Sequence, residues 1–404
     1  MNTSIKHSLF FALTLLSIVG ITSINAQTYA KNGMVVSASK ISSQTGIDIL
    51  KQGGNAVDAA IATAFSLAVT HPTAGNIGGG GFMVFMNSNG EATTIDFREK
   101  APLASSKTMF LDENGNIKNN SNHKGLLATG VPGTVAGLFL AHQKYGKLPW
   151  SKLVQPAINL AEQGFIFNWN LYRAGQRFKK ASDQFPFMSS YFDNKKGELT
   201  QPNEIWKQQA LANTLKKIRD NGRDGFYKGD IAEEIATYMS ANGGIITTED
   251  LEKYEAIERK PIIGTYKGFD IYGMPPPSSG GIALIEMMNI MELVNWDTIE
   301  FNSKEYVHIL TEAMRRAFAD RAEFLGDPDF NLDMPLERLI SKKHAKNRFK
   351  NLNMEKASVS DSSKFGQIYD GKNTTHFSVL DKSGNAVSVT YTLENSYGVK
   401  MGSK

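Results

Sequence analysis

The residues with the clearest chemical potential lie near the C-terminus, where hydroxyl-bearing side chains recur at every second position. Residues 386–393 alternate between apolar and polar side chains, as a strand with one buried face does, and residues 374–380 precede them as a candidate partner strand. If Leu380 pairs with Ala386 around a five-residue loop, Thr374 lies directly opposite Thr392. A one-residue slip would mix the two faces, so the alternation favours this register. The face that carries both threonines also carries His376, Ser378, Ser388 and Thr390.

The chemistry that this face could perform is nucleophilic attack by a threonine hydroxyl. Such a hydroxyl is a poor nucleophile until a base lies beside it. If the chain were cut between Asn373 and Thr374, the freed α-amine would supply that base, because its ordinary pKa of about 7.7–8.0 leaves it partly neutral near pH 7. Thr392 would then orient the attacking hydroxyl. Hydroxyl residues on a strand face also commonly mark a solvated or sheet-facing surface, so the pattern alone leaves both interpretations open.

Earlier segments must supply the elements that position this hairpin. Residues 56–69 are apolar on nearly every helical face, which predicts a buried helix capped by Asn55. Residues 82–86 and 92–98 predict a strand and its returning partner. The region 130–325 is mostly helical in pattern. Hairpins interleaved with blocks of helix indicate an α/β or α+β layered fold.

The glycine-rich run Gly75–Gly81 precedes the first of these strands. Its spacing matches neither a dinucleotide-binding nor a phosphate-binding loop. We therefore expect its backbone to require either positive φ angles or a close approach to a substrate or a neighbouring strand.

Composition removes several classes of site. The chain has 404 residues, a formal net charge of +4 and no cysteine. The lack of cysteine excludes a disulfide scaffold, a thiol nucleophile, a thiolate zinc site and cysteine-ligated iron–sulfur clusters. A near-neutral charge without a basic block argues against a nucleic-acid partner. The scattered histidines form no i,i+4 pair for a metal, and no nucleotide-binding motif occurs, so the residues imply neither a metal nor an organic cofactor.

The N-terminus predicts export. Lys6 and His7 precede an apolar run over residues 9–21 and the small residue Ala26, which is typical of a secretory signal peptide over residues 1–26. A retained N-terminal anchor is the alternative, although the run is short for a membrane span. No later stretch approaches about 20 consecutive apolar residues, so we expect no membrane span after signal removal. The expected location is the bacterial periplasm or the exterior of the cell.

Six short segments are informative because of their order along the chain. They are Gly53–Ala60, Gly75–Gly81, Asp96–Glu99, Ala128–Gly133, Pro275–Gly281 and Thr374–Ser378. In this order they resemble the γ-glutamyltranspeptidase family, from about residue 32 to the C-terminus. The resemblance implies an α+β N-terminal-nucleophile (Ntn) hydrolase fold, an αββα four-layer sandwich, made as a proenzyme that cuts itself. Residues 27–373 would form the large chain, and residues 374–404 the start of the small chain.

The resemblance also implies roles for residues of the hairpin. Asn373–Thr374 would be the self-cleavage bond, and Thr374 the nucleophile of both the cleavage and the catalysis. Thr392 matches the family threonine that supports the nucleophile, which agrees with the register derived from the alternation.

Substrate-binding roles follow in the same way. Arg98 matches the arginine that binds the α-carboxylate of the γ-glutamyl group, a task suited to a guanidinium. From the residues alone, Arg98 would be interpreted as a surface partner of Asp96 or Glu99. Glu394 falls where many members have an asparagine that helps to hold the substrate, so recognition of the substrate ammonium would differ. The segment Ser278–Gly281 resembles a serine or oxyanion site, but in the family it belongs to a structural turn without a catalytic role.

The implied activity is γ-glutamyl transfer and hydrolysis through a γ-glutamyl-threonine ester, with glutathione or another γ-glutamyl compound as donor. Water, an amino acid or a peptide would be the acceptor, and the large and small chains of one precursor would pair as a heterodimer. Two alternatives stay open: another Ntn acylase, such as a cephalosporin or glutaryl acylase, or an inactive fragment that only binds γ-glutamyl compounds. The family's acidic pair, Ser-Ser pair and oxyanion glycines have no counterpart here. We therefore expect a sandwich that is incomplete at the C-terminus, and little or no activity from this chain alone.

Overall fold

The structure, a computed structural model, describes residues 29–360 and 374–402. The predicted signal peptide and Asn373 lie outside these residues. Residues from Gly33 onward form one compact unit, to which all the elements below belong. Among the described residues, no helix is long and apolar enough to cross a membrane.

An antiparallel six-stranded sheet is the largest sheet among the described residues. The strands, in chain order, are β1 (Gly33–Val36), β2 (Gly80–Met86), β3 (Ala92–Phe97), β4 (Phe165–Ile166), β5 (Ile205–Trp206), β6 (Ile257–Arg259), β7 (Ile262–Tyr266), β8 (Phe269–Gly273), β9 (Thr374–Asp381) and β10 (Ala386–Thr392). The large sheet has the order β1-β9-β10-β2-β3-β6, and all its neighbouring pairs are antiparallel. Two small sheets pair β4 with β5 and β7 with β8.

Helices form much of the remaining described structure. In chain order they are α1 (Lys40–Lys51), α2 (Ala56–Thr70), α3 (Thr134–Tyr145), α4 (Trp150–Gln163), α5 (Trp169–Lys180), α6 (Pro186–Tyr191), α7 (Gln209–Asn221), α8 (Asp224–Tyr227), α9 (Gly229–Ala241), α10 (Thr248–Lys253), α11 (Gly280–Met291), α12 (Lys304–Phe324), α13 (Leu336–Leu339) and α14 (Lys342–Phe349). Short 3₁₀ turns occur at Lys118–Asn120, Leu126–Ala128 and Trp296–Thr298.

Helix α2 is the buried helix that the sequence predicts. All its residues are buried, and Asn55 caps it. Asn55 Oδ1 accepts the Asp58 backbone N–H at 2.9 Å, while Asp58 Oδ2 accepts the Asn55 N–H at 3.0 Å. This reciprocal capping box satisfies two backbone donors that the first turn would otherwise leave unpaired.

The β9–β10 hairpin is anchored to α2 at two points. At the hairpin turn, Asp381 Oδ2 accepts the backbone N–H of Ala56 at 3.0 Å, in the first turn of α2. Near the other end of the hairpin, the Tyr391 hydroxyl donates to the Ala64 carbonyl oxygen at 3.0 Å. Because a carboxylate at a helix N-terminus is stabilised by the helix dipole, the turn and the helix stabilise each other.

The two faces of the hairpin differ in the way that the alternation predicts. The apolar side chains buried in the core are Phe377, Val379, Val387, Val389 and Tyr391. Thr374, His376 and Ser378 lie on the opposite, exposed face. The fold is therefore α+β, and the described residues supply one large sheet with helices packed on one face of the hairpin.

A second, smaller core lies among α11, α12 and α14. Ile290, Ala313 and Ala345 form its buried apolar centre. Charged side chains are also buried in these helices, among them Glu312, whose carboxylate accepts from Arg316 Nη1 at 2.6 Å. This pair has the i,i+4 spacing that supports a helix.

Candidate active site

The two threonines of the hairpin face each other across the strand pair. Thr374 pairs with Thr392 in the register of β9 and β10, so the predicted register is confirmed. The Thr374 hydroxyl donates to Thr392 Oγ1 at 3.4 Å, and Thr392 Oγ1 also accepts the backbone N–H of Glu394 at 2.9 Å. The backbone that follows β10 thus positions the Thr392 hydroxyl, which in turn contacts the hydroxyl of Thr374.

A single row of residues crosses four strands at this end of the sheet. Thr374 lies opposite Thr392, and Thr392 lies opposite Gly80 on β2. Gly81 pairs with Phe97, so continuing the register by one residue places Gly80 beside Arg98. Directly opposed residues share a face of the sheet. Because neighbouring strands lie about 4.8 Å apart, the row separates the Thr374 and Arg98 backbones by about 14 Å, with a glycine between Thr392 and Arg98.

The glycine run allows neighbouring strands to approach closely. A Cβ at Gly79 would lie 2.1 Å from the Thr392 carbonyl oxygen, and one at Gly80 would lie 2.5 Å from the Phe97 carbonyl oxygen. At Gly81 the nearest atom would be the Thr390 carbonyl oxygen at 2.3 Å. None of these glycines has a positive φ. Of the two expectations for the run, the close approach to neighbouring strands is the one that the structure shows.

Asn76 fixes the end of the strand that carries Thr392, a role that sequence reasoning missed. Its Nδ2 donates to the Thr392 carbonyl oxygen at 3.1 Å. Its Oδ1 accepts the Gly79 N–H at 2.9 Å and the Thr134 hydroxyl at 2.7 Å. A buried asparagine inside a glycine-rich turn was the available signal, because asparagine side chains commonly hydrogen-bond nearby backbone in turns.

Arg98 directly follows β3 and is exposed. Its guanidinium lies 6.0 Å from the centre of the Phe82 ring, on the face of the sheet that carries Thr390. Asp96 Oδ2 accepts a hydrogen bond from Arg259 Nε at 2.9 Å, so Arg259 is the ion-pair partner of this carboxylate. Of the two partners that the residues alone suggest for the Arg98 guanidinium, Asp96 is thus paired with Arg259, whereas Glu99 lies close enough for the charge of Arg98 to lower its pKa. The Arg98 backbone N–H donates to Asp96 Oδ1 at 3.0 Å.

Glu99 connects the two predicted substrate-binding residues electrostatically. Burial raises the pKa of its carboxyl, and the negative charge of Glu394 raises it further. The positive charge of Arg98 and a hydrogen bond from the Gly80 backbone act in the opposite direction. Glu394 itself is exposed and has a φ of 64°, a left-handed conformation that is uncommon for a residue with a side chain. Arg98, Glu99 and Glu394 thus place one positively charged and two carboxylate side chains near one another at this end of the sheet.

A cleft of about 460 Å³ opens on the Arg98 side of this site. Its walls include Arg98, Glu99, Arg259, Ser278, Ser279 and Arg321. Ser279 Oγ accepts from Arg321 Nε at 2.8 Å, so the serine turn is tied to α12 in the cleft wall. The threonines of the hairpin and Glu394 are not among the residues that line this cleft.

His376 lies two positions along β9 from Thr374, but its ring bonds to other hydroxyls. Its Nδ1 lies 2.8 Å from Thr390 Oγ1, and its Nε2 lies 3.1 Å from Ser378 Oγ and 3.2 Å from Ser388 Oγ. Partial burial lowers the pKa of the imidazole, which favours the neutral ring near pH 7. These contacts give the imidazole no role as the base for Thr374.

Comparisons with known proteins agree on one family. A sequence model described as gamma-glutamyltranspeptidase matches residues 42–404. The chain is 47% identical over 380 residues to the glutathione hydrolase proenzyme of Escherichia coli K12, covering 91% of this chain and 64% of that protein. The chain therefore spans just under two thirds of the length of this relative.

Solved structures show the same likeness. The gamma-glutamyltranspeptidase of Helicobacter pylori aligns with a TM-score of 0.79 at 41% identity, covering 86% of this chain and all of that chain. The cephalosporin acylase of Bacillus halodurans aligns with a TM-score of 0.79 at 26% identity, covering 94% of this chain and 70% of that one. The fold is therefore that of the Ntn hydrolases, as the sequence predicts.

Proposed function

Because the chain belongs to the gamma-glutamyltranspeptidase family, we propose that it acts in γ-glutamyl transfer and hydrolysis, with glutathione or another γ-glutamyl compound as donor. Thr374 is the proposed nucleophile, freed by self-cleavage of the Asn373–Thr374 bond. Similarity to a relative named as a glutathione hydrolase proenzyme supports both the donor and the cleavage step.

The observation that carries the proposal is the row of residues from Thr374 to Arg98. It combines a hydroxyl supported by a second hydroxyl, a glycine without a side chain, and a cation at the far end. A γ-glutamyl donor has a reactive carbonyl at one end and an α-carboxylate at the other. The row therefore fits such a donor, with its carbonyl at Thr374 and its carboxylate toward Arg98.

The proposed reaction proceeds through an ester. As Thr374 Oγ1 attacks the γ-carbonyl carbon, the α-amine of Thr374 takes the hydroxyl proton. The C–N bond of the donor amide then breaks, and this proton passes to the departing amine. Water attacks the resulting γ-glutamyl ester and releases glutamate, or the amine of an amino acid or peptide attacks it and releases a new γ-glutamyl amide. In both cases Thr374 Oγ1 regains a proton.

Recognition of the donor needs opposite charges for its zwitterionic end. Arg98 is the proposed partner of the α-carboxylate, because a guanidinium binds a carboxylate through two hydrogen bonds. Glu394 is the proposed partner of the α-ammonium group. Both residues act electrostatically on Glu99, which supports their placement near each other, around the zwitterionic end of one donor.

The cellular setting is part of the proposal. Residues 1–26 would direct export to the periplasm or the exterior of a bacterial cell, and the two chains produced by cleavage would stay paired. The signal-peptide pattern of residues 1–26 supports export, and the proenzyme names of the bacterial relatives support the cleavage.

A second candidate activity is that of a cephalosporin or glutaryl acylase, because a cephalosporin acylase shares the fold at a TM-score of 0.79. Glu394 separates the two candidates. A glutaryl group keeps the terminal carboxylate that Arg98 would bind but lacks the α-ammonium group that Glu394 would bind. Glu394→Ala should therefore impair γ-glutamyl turnover far more than glutaryl turnover, whereas Arg98→Ala should impair both.

The test uses a version of the protein extended to the length of its proenzyme relatives, since this chain spans 64% of the Escherichia coli relative. It combines gel electrophoresis, N-terminal sequencing of any fragment, and release of p-nitroaniline from γ-glutamyl- and glutaryl-p-nitroanilide. We expect cleavage to produce a fragment that begins at Thr374, and Thr374→Ala to stay intact and inactive. Thr375→Ala is the matched control, because it removes the adjacent, buried hydroxyl of the same strand. An uncut Thr374→Ala chain that still turns over substrate would exclude Thr374 as the nucleophile.

A further inference from the structure

A cluster of buried polar side chains lies in the second core, away from the threonine row. Glu286 on α11, Asp320 on α12 and His344 on α14 each direct one potential ligand atom into it, and these atoms all lie within 4.8 Å of one another. His344 Nε2 lies 2.6 Å from Asp320 Oδ2 and 3.8 Å from Glu286 Oε1. The imidazole thus stands between two carboxylates from different helices.

Glu286 is the residue that the surrounding protein leaves unsatisfied. Its side chain is 1% exposed, and neither carboxylate oxygen has a hydrogen-bond partner among the described residues. A buried carboxylate without a partner is costly, because desolvation is not repaid by hydrogen bonds or an opposite charge. A proton or a bound cation would remove this cost.

The nearby cation already has a partner. Arg348 forms an ion pair with Asp320 Oδ1, and its Nε donates to Asp320 Oδ2 at 3.0 Å. One arginine therefore faces two buried carboxylates, Asp320 and Glu286. The imidazole of His344 carries a positive charge only when it is protonated. With a neutral imidazole, two carboxylates share the positive charge of Arg348, so the cluster is short of positive charge.

We propose that Glu286, Asp320 and His344 bind a divalent first-row transition-metal ion, with Zn²⁺ as the best-fitting ion. One imidazole nitrogen and two carboxylate oxygens form a ligand set that zinc accepts, with a fourth position for water. Ligands at about 2.1 Å from a tetrahedral ion lie about 3.4 Å apart. The 2.6 and 3.8 Å separations bracket this value, so small side-chain movements complete the geometry.

Such an ion would join three helices, one of which, α12, contributes Arg321 to the cleft wall. Asp320 directly precedes Arg321, which bonds to Ser279 at the start of α11. His344 keeps 13% of its side chain exposed, which gives an ion a way in. The ion is structural in this proposal, so the proposal stands independently of the nucleophile assignment.

The experiment is zinc titration of the full chain after removal of metals with a chelator. Calorimetry measures affinity and stoichiometry, and zinc X-ray absorption identifies the ligands. We expect one ion per chain, bound by one imidazole and otherwise oxygen. Loss of a direct ligand in Glu286→Gln or His344→Asn should weaken binding at least about 100-fold, since even outer-shell losses cost about 10–100-fold.

His308→Asn is the matched control, because His308 lies on α12 but bonds to the Asn353 carbonyl oxygen outside the cluster. It should bind zinc as the unaltered chain does. Glu286→Gln removes an uncompensated buried charge, so its folding should not suffer, and circular dichroism verifies this. Absence of zinc binding, equal binding by the cluster variants and the control, or a spectrum without an imidazole ligand would each overturn the proposal.

Discussion

Substitution of Gly79 by alanine tests the close strand packing beside Thr392. A Cβ at Gly79 would lie 2.1 Å from the Thr392 carbonyl oxygen, where ordinary contacts begin at 3.4 Å. The backbone is held on both sides, because the Gly79 N–H donates to Asn76 Oδ1 at 2.9 Å and its carbonyl oxygen accepts the Gly133 N–H at 2.8 Å. Relief of the clash must therefore break at least one of these hydrogen bonds.

The expected magnitude follows from two contributions. Overpacking of a tight interior costs about 1–3 kcal/mol, and a buried polar group left unpaired costs about 1–3 kcal/mol. We expect Gly79→Ala to lower the free energy of unfolding by about 2–6 kcal/mol, a large share of a typical domain stability of about 5–15 kcal/mol. Gly78→Ala is the matched control, since no atom lies within 4 Å of a Cβ at that position. Its effect should stay within about 0.5 kcal/mol.

Urea denaturation followed by circular dichroism measures the difference. Both glycine variants are made with Thr374→Ala as well, so that every chain stays in one piece during unfolding. With Thr374 restored, gel electrophoresis measures the rate of self-cleavage, which Gly79→Ala should slow because the Thr392 strand end is displaced. The reasoning is refuted if the two glycine variants unfold at the same urea concentration.

Asn76 and Glu312 offer two further tests. Asn76→Ala removes four hydrogen bonds around the Thr392 strand end. Urea denaturation should therefore show a free energy of unfolding that is lower by about 2–4 kcal/mol, and gels should show slower self-cleavage. Unchanged values for both would contradict this. Burial alone would raise the pKa of Glu312, but hydrogen bonds from Ser358 and Arg316 outweigh it and lower the pKa to about 2. The resulting stabilisation is present above the ordinary pKa of 4.5 and disappears as the pH falls toward 2. The unfolding free energy of the unaltered chain should thus fall by up to about 3 kcal/mol more than that of Glu312→Gln between pH 5 and pH 2, and parallel pH profiles would refute this.

The hairpin could be predicted from the sequence because its information is local. Alternation with a period of two sets both the buried face and the register, and a one-residue error would bury hydroxyls. The capped helix α2 was equally accessible, since Asn55 and the apolar run that follows it are adjacent in sequence. The glycine run was only half predictable. Its need for space was evident, but the neighbour that requires this space is a strand more than 300 residues away.

Other parts of the site depend on partners that no local pattern reveals. Asp96 on β3 forms its ion pair with Arg259, which lies on the short strand β6. This strand lies in a region of the sequence that is predominantly helical in pattern. The cluster of Glu286, Asp320 and His344 unites single residues from three helices. A search for paired histidines on one helix cannot find such a site, because each helix contributes only one ligand.

The strand order has a consequence for the protein after cleavage. The segment that begins at Thr374 contributes β9 and β10, which lie side by side between β1 and β2 of the preceding segment. A cut before Thr374 would leave a hairpin wedged between two strands of the other polypeptide, with a hydrogen-bond ladder on each flank. The hairpin of one polypeptide would then complete the sheet of the other, and the main-chain hydrogen bonds would supply the affinity between them. The severed pieces should migrate as one particle in native chromatography and separate only when the sheet itself is unfolded.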